Sequence, residues 1–446
     1  MPGGLRTDLY ELNMTASYLR REMRDVATFS LFVRTMPRNR GFLVAAGLDD
    51  CLEYLERLSF EEDDMEYLDE LGFRQEDLDA FRDLRFTGEV WAVPEGRIVY
   101  PGEPLLEVTG PVAEAQLAET ALLNAITLNT TAASKAARCV MAADGRQLVD
   151  FSLRRDQGVE ASIAVARSCA IVGFAATSNV EAARRLGVPA AGTMAHSYVE
   201  AFPSEHEAFK AFAEDHPTRT TFLVDTYETL AGVRTAIEVI RELSLRPPLA
   251  IRIDSGDIGE LSRAARDILD KAGLPEVRIF ASGGLDEVSI HRLLSGGAPI
   301  DAFGVGTLVG VSADAPYVDS VYKLVEYAGR PVSKLSQGKA TAPGAKQVFR
   351  SPGGDVIALR SESAPSGAEP LLQLVMKDGR RSADPEPLDA KRERFERDLA
   401  ALPPDAARIE DPVSRVVPFS EIVQRLTAET RTEMLSRQPS LDSRAP

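Results

Sequence analysis

The sequence predicts an α/β fold whose functional half is a parallel sheet rolled into a β/α barrel, and three observations point there. Between residues 148 and 307, short apolar runs alternate with stretches of helical period, the pattern of repeated βαβ units. Nearly every run is apolar where it begins and polar or glycine-rich where it ends, and in a β/α barrel the loops at the strands' C-terminal ends build the active site. The chain changes texture near residue 145, which marks a boundary before the alternation starts. A doubly wound open sheet is the alternative, and it too places ligands at those strand ends.

The first element is a helix in "TDLYELNMTASYLRREM", where Thr7 and Asp8 give a start signal and Leu9, Leu12, Ala16 and Leu19 recur at helical spacing. "VATFSLFVRTMP" reads as a strand, and 48–84 as acidic helices. Residues 86–110 are short β-rich runs broken by Pro and Gly, suited to a small sheet of hairpins. A long helix with a small-residue face follows in "AEAQLAETALLNAITLNTTAASKAARCVMAAD". The barrel strands are expected in "LVDFSLRR", "VPAAGTMAHS", "TTFLVDT", "LAIRIDSGD", "VRIFASGG" and "IDAFGVGT", with helices such as "YETLAGVRTAIEVIREL" between them. The remainder offers a β-like run, "KQVFRSPGGDVIALRSE", a charged helix, "LDAKRERFERDLAAL", and a frayed tail, "SRQPSLDSRAP". The expected domains are 1–145, an N-terminal α/β domain with a small β-rich part; 146–340, the barrel; and 341–446, packing on the first.

With 446 residues, 44% hydrophobic and 27% charged, the chain has ordinary globular composition. A net charge of −17 argues against a nucleic-acid binder, which needs Lys and Arg to replace counterions along the phosphates. Any anionic ligand must therefore meet a local cationic pocket. Cys51, Cys139 and Cys169 are far apart and lack metal-ligand spacing, so buried reduced thiols are expected. The opening residues have no charged leader followed by an apolar core, and no apolar run approaches the ~18 residues of a membrane span. A soluble, cytoplasmic protein without a membrane partner is the expectation.

"RIDSGD" brings Arg252, Asp254 and Asp257 to one strand end. Two carboxylates bracketing Ser-Gly can hold ribose hydroxyls or a phosphate-bound Mg²⁺, and the Arg can pair with a phosphate. The plainer reading is that one Asp caps the next helix. "ASGGLDE" and "FGVGTLVG" are glycine-rich strand ends whose backbone N–H groups can approach a phosphate, although a tight turn would explain either. Arg154 and Arg155 in "FSLRRDQG" can grip a carboxylate or phosphate bidentately, or can be a solvated surface pair. His196, in "GTMAHSYVEAF", is one of only four histidines and reads as nucleophile, proton carrier or structural group. A sugar-phosphate lyase or aldolase would share the phosphate loops, but no strand end supplies a Schiff-base Lys. A non-enzymatic nucleotide sensor would need neither His196 nor the carboxylates.

Taken in order, "TDLYELNM", "FSLRR", "GTMAHSYV", "FLVDTYET", "RIDSGD", "SGGLDE", "FGVGT" and "VYKLVEYAGRPVSKLSQGK" resemble nicotinate phosphoribosyltransferase, over most of the chain. The resemblance implies an incomplete β/α barrel with an N-terminal α/β domain, of the type II phosphoribosyltransferase kind. It implies ATP-coupled transfer of a phosphoribosyl group from phosphoribosyl pyrophosphate to nicotinate, giving nicotinate mononucleotide and pyrophosphate in NAD salvage, with Mg²⁺ held mainly through pyrophosphate rather than by direct protein ligands. It also implies that ATP is the co-substrate, through transient phosphorylation of His196, and that active sites form between the subunits of a homodimer. By the same resemblance Phe151 stacks on the pyridine ring, with the partner subunit's Tyr10 on its other face. Arg154 meets the nicotinate carboxylate or the donor's phosphate, with Arg155 beside it. Asp225, Arg252, Asp254 and Asp257 line the ribose and pyrophosphate region, Ser282, Gly283, Gly284, Gly306 and Thr307 the 5′-phosphate, and Lys323 reaches a phosphate across the dimer. Related nicotinamide-using enzymes carry an acidic group near the position of Ser197, and a neutral Ser suits the acid.

Overall fold

A computed structural model describes residues 3–334 and 341–436, so residues 335–340, which include the end of the motif that closes at Lys339, and the tail from 437 lie outside the described residues. The chain divides into two units, one of residues 1–130, 317–394 and 413–446, the other of residues 131–316 and 395–412.

The first unit is built on a seven-stranded antiparallel sheet, in the order Arg330–Pro331, Ser320–Tyr327, Val26–Val33, Pro104–Pro111, Glu89–Ala92, Gln373–Lys377, Arg380–Arg381. The stretch 86–110 does not make a sheet of its own, as its texture suggests. Its strands Glu89–Ala92 and Pro104–Pro111 join this sheet, the second of them beside Val26–Val33. Five of the first six side chains of Pro104–Pro111 and six of eight in Val26–Val33 are buried, so both strands are covered on both faces, as interior strands of a larger sheet are. Phe29 stacks on Tyr322 across the pairing at 4.8 Å.

The second unit holds a six-stranded, wholly parallel sheet: β1 (Gln147–Asp150), β2 (Ala176–Thr177), β3 (Thr221–Leu223), β4 (Ala250–Ile253), β5 (Arg278–Ala281) and β6 (Ala302–Val305), in the order β2-β1-β6-β5-β4-β3. First and last strands pair, so the sheet closes there as a barrel does and stays open between β2 and β3. Helices α1 (Val159–Ile171), α2 (Val180–Leu186), α3 (His196–Glu200), α4 (Glu205–Asp215), α5 (Thr229–Glu242), α6 (Ile258–Lys271), α7 (Glu287–Ser295) and α8 (Thr307–Gly310) alternate with the strands. Ile251, Ile253, Ile279, Phe303 and Val305 are buried in this sheet.

One expected strand is corrected. "VPAAGTMAHS" forms no strand: it makes a single bridge, Ala190 to Thr177, and then α3 begins at His196. Pro189 has no N–H for a ladder, and glycine at 192 weakens extended pairing. His196 therefore stands at a helix start, in the part of the chain that spans the opening between β2 and β3. The three cysteines are buried, and none forms a disulfide. No helix among the described residues is long and apolar enough to cross a membrane.

Candidate active site

The site is assembled around Arg252, the third residue of β4. Its Nε donates to Ser282 Oγ at 2.7 Å, one Nη to Thr193 Oγ1 at 3.1 Å and the other to Asp254 Oδ1 at 2.6 Å. Ser282, one residue past β5, donates its own hydroxyl to the same Asp254 oxygen at 2.5 Å. The second oxygen of Asp254 lies 4.0 Å from His196 Nε2. Burial pushes the Asp254 carboxyl up, but the Ser282 hydroxyl, the Arg252 guanidinium and His196 outweigh it and hold it below the usual carboxylate range. His196 Nδ1 is 3.1 Å from Thr226 Oγ1, and the residue before Thr226 is Asp225. Asp225 Oδ2 accepts from the Asp254 N–H at 2.9 Å and the Ser255 hydroxyl at 2.6 Å, while its Oδ1 is buried without a hydrogen-bond partner. One contact network thus joins the ends of β3, β4 and β5 to the His196 segment.

Gly283 keeps this corner closed. Its φ is +91°, and a Cβ there would stand 1.8 Å from the Asp254 carbonyl oxygen, so a side chain is excluded by both conformation and space. Gly284, φ +65°, opens onto free space. Phe151 follows β1 directly and donates its N–H to Val305 O at 2.7 Å. Its half-buried ring lies 5.7 Å from the Phe280 ring and 5.3 Å from the Arg252 guanidinium carbon. Gly306 sits against the Phe151 carbonyl, where a Cβ would be 3.0 Å away, and Thr307 opens α8, exposed. Arg154 and Arg155 occupy a 3₁₀ turn just beyond Phe151, both exposed and, among the described residues, in no ion pair.

Comparison with known proteins decides the family. Residues 5–127 match the nicotinate phosphoribosyltransferase N-terminal domain, 146–353 the nicotinate phosphoribosyltransferase family, and 341–427 its C-terminal domain. A nicotinate phosphoribosyltransferase of Mycobacterium tuberculosis is 48% identical over 417 residues, 92% of this chain and 89% of that protein. The chain belongs to the nicotinate phosphoribosyltransferase family. A second relative of that name, from Bacillus subtilis, is 42% identical over 80% of this chain and 76% of its own. The crystal structure of human nicotinic acid phosphoribosyltransferase superposes with a TM-score of 0.85 at 28% identity, covering 95% of this chain and 99% of that one.

Within the family frame, the remaining residues expected at the site fall as follows. Asp257 is the N-cap of α6: its Oδ1 accepts from Glu260 N at 2.9 Å, and its side chain takes no part in the Arg252 network. Ser197 is exposed, second in α3. Tyr10 and Lys323 belong to the first unit. Tyr10 is 47% exposed and donates to Glu11 Oε1 at 3.1 Å. Glu11 itself is fully buried, also accepts from the Thr7 hydroxyl and from both N–H and hydroxyl of Thr120, and is pushed up to about 7 by burial. Lys323 Nζ donates to Tyr322 O at 2.8 Å and lies 3.7 Å from Glu119. Sequence reasoning missed Thr193, Thr226, Ser255 and Glu11. Each adjoins or sits inside a motif it had singled out, but only the folded chain shows which hydroxyl meets which charge.

Proposed function

We propose that this chain transfers the phosphoribosyl group of phosphoribosyl pyrophosphate to nicotinate, forming nicotinate mononucleotide and pyrophosphate in NAD salvage. The observation that carries the reading is the Arg252–Asp254–Ser282–His196 network at the strand ends, with the half-exposed Phe151 ring beside it. As the bond from ribose C1 to pyrophosphate breaks, positive charge grows on the sugar and negative charge on the leaving group, and the pyridine nitrogen attacks C1. No protein nucleophile is needed, so catalysis is positioning and charge stabilisation. Asp254, held ionised, faces the developing sugar charge or its hydroxyls. Arg154 and Arg155, with the partner's Lys323, are the cations for the nicotinate carboxylate and the phosphates. Ser282, Gly283, Gly284, Gly306 and Thr307 form the cradle for the 5′-phosphate, and Phe151 is the platform for the pyridine ring. Asp257 serves this site by fixing the start of α6. Neutral Ser197 leaves the nicotinate carboxylate unrepelled.

The residues fit Mg²⁺ brought in with the donor. Mg²⁺ keeps several waters and is held by one or two carboxylates plus substrate phosphates, and Asp225 has a buried oxygen without a partner beside Asp254. Asp225 and Asp254 would hold its waters, and it would offset charge on the departing pyrophosphate. ATP is the co-substrate: the His196 imidazole, 40% exposed and anchored at Nδ1 by Thr226, takes the γ-phosphoryl as ADP leaves and later yields it to water. The added charge biases the surrounding loops toward tighter substrate binding. The working form is a homodimer in which the partner's Tyr10 closes each pyridine site, and the setting is the cytoplasm, in keeping with three cysteines outside any disulfide.

Pyrophosphate release from phosphoribosyl pyrophosphate, measured with and without nicotinate and ATP, tests this reading. Release that requires nicotinate and rises with ATP is expected, and release indifferent to nicotinate overturns it. In His196→Ala, ATP hydrolysis should vanish while weak ATP-independent transfer persists; ATP hydrolysis at the wild-type rate removes His196 from that role.

A further inference from the structure

Gly304 lies in the middle of β6, paired with Val149 of β1, and its φ is outside the left-handed region. Nothing in its backbone therefore demands glycine. A glycine inside a strand marks a place where another group comes close, and here that group is Phe151. A Cβ at 304 would stand 2.6 Å from Phe151 Cε2 and 2.7 Å from Cδ2, and 2.9 Å from Cε1 of Phe280. Non-bonded carbons settle at about 3.5–4.0 Å, so the Phe151 ring would have to withdraw by about 1 Å.

The ring has little room to withdraw sideways. Phe280 flanks it at 5.7 Å, and Phe280 is itself set between Arg252 of β4 and Ala302 of β6 in the strand register. Arg252 lies over the ring at 5.3 Å and is pinned by bonds to Ser282, Thr193 and Asp254. The backbone of Phe151 is tied to Val305. The movement left to the ring is away from the Gly304 backbone.

We infer that Gly304 is a specificity-determining residue: its missing side chain lets Phe151 recline on β6 and so sets the depth of the slot for a flat, six-membered heteroaromatic acid. The inference rests on the reading of Phe151 as the acceptor platform. A methyl group at 304 raises the floor of that slot, and its nearest neighbours are Phe151 and Phe280, neither of them assigned to the sugar or its phosphates, so its main effect falls on the acceptor.

The test is steady-state kinetics of Gly304→Ala, Phe151→Leu and the double variant, each first checked for folding by circular dichroism. Gly304→Ala should raise the KM for nicotinate by about tenfold or more, the scale of a one-carbon misfit in a tight pocket, and leave the KM for phosphoribosyl pyrophosphate unchanged. Phe151→Leu should also raise the nicotinate KM, and adding Gly304→Ala to it should cost nothing further, because the shorter side chain no longer has a ring to lift. A general structural defect would move both KM values and would not be absorbed by Phe151→Leu. If Phe151→Leu leaves the nicotinate KM unchanged, the platform reading itself fails. If it raises that KM while Gly304→Ala does not, the inference about Gly304 fails and the platform stands. Should Gly304→Ala not fold, the double variant must recover folding together with the Phe151→Leu kinetics, and a double variant that also fails to fold overturns the inference.

Discussion

Burial alone would keep Asp254 protonated further up the pH scale than an ordinary carboxylate, yet two donors on Oδ1 and a histidine facing Oδ2 reverse that tendency. The sign has a consequence for stability as well as for chemistry. A carboxylate whose folded-state pKa lies below its unfolded value adds stability above the unfolded value and loses it as pH falls through the folded one. Asp254→Asn keeps the shape and removes the charge. Its turnover should fall by about 100-fold or more, the usual scale for deleting a preorganised electrostatic group, with the circular dichroism spectrum retained. The difference in Tm between wild type and variant should be present at neutral pH and shrink in acid below the ordinary carboxylate range. An unchanged kcat would remove Asp254 from the mechanism.

At the next scale, Asp257 separates an element's needs from the site's. It caps α6, an amphipathic helix from Ile258 to Lys271 whose buried face includes Ser262, Ala265 and Leu269. Asp257→Ala should cost about 1 kcal/mol, the common worth of an N-cap, and leave the KM for phosphoribosyl pyrophosphate within about twofold; thermal denaturation and kinetics on one preparation check both, and a tenfold rise in that KM at unchanged Tm would make Asp257 a ligand instead. Both readings were legible in "RIDSGDIGE", because the Asp257–Glu260 spacing is a capping pattern and the strand end is a ligand position. The strands β1 and β3 to β6 were legible for a similar reason: each is a largely apolar run cut off by aspartate, serine or glycine. β2 was not, since Ala176–Thr177 is too short to carry a period. "VPAAGTMAHS" misled because apolar composition alone does not supply a ladder partner, and its Pro and Gly argue against one. The hydroxyls of Thr193 and Thr226 were invisible for another reason. Their partners, Arg252 and His196, lie 59 and 30 residues away in the chain, and only the folded chain brings them together.

For the whole molecule, a net charge of −17 repels the anionic substrates the site must gather, so the placement of each cation and aromatic group across the assembly matters. The first unit leaves Leu9 and Tyr10 exposed at the start of the helix Leu9–Arg20, at 52% and 47%, and Leu5 exposed just before it, at 36%. If the partner's Tyr10 completes each site, a dimer of one His196→Ala chain and one Tyr10→Ala chain carries both lesions in one site and neither in the other. Mixed dimers isolated through two different affinity tags should then regain about half of wild-type activity, although each parent dimer is impaired at both sites. If instead Tyr10 serves the site of its own chain, every site in the mixed dimer carries one lesion, and the activity stays at the mean of the two parents. Recovery needs subunits that exchange or are made together, so sedimentation of the purified mixture must first show a single dimeric species. A monomer at that step would sink the shared-site proposal before any assay, because no second chain would be present to lend the tyrosine.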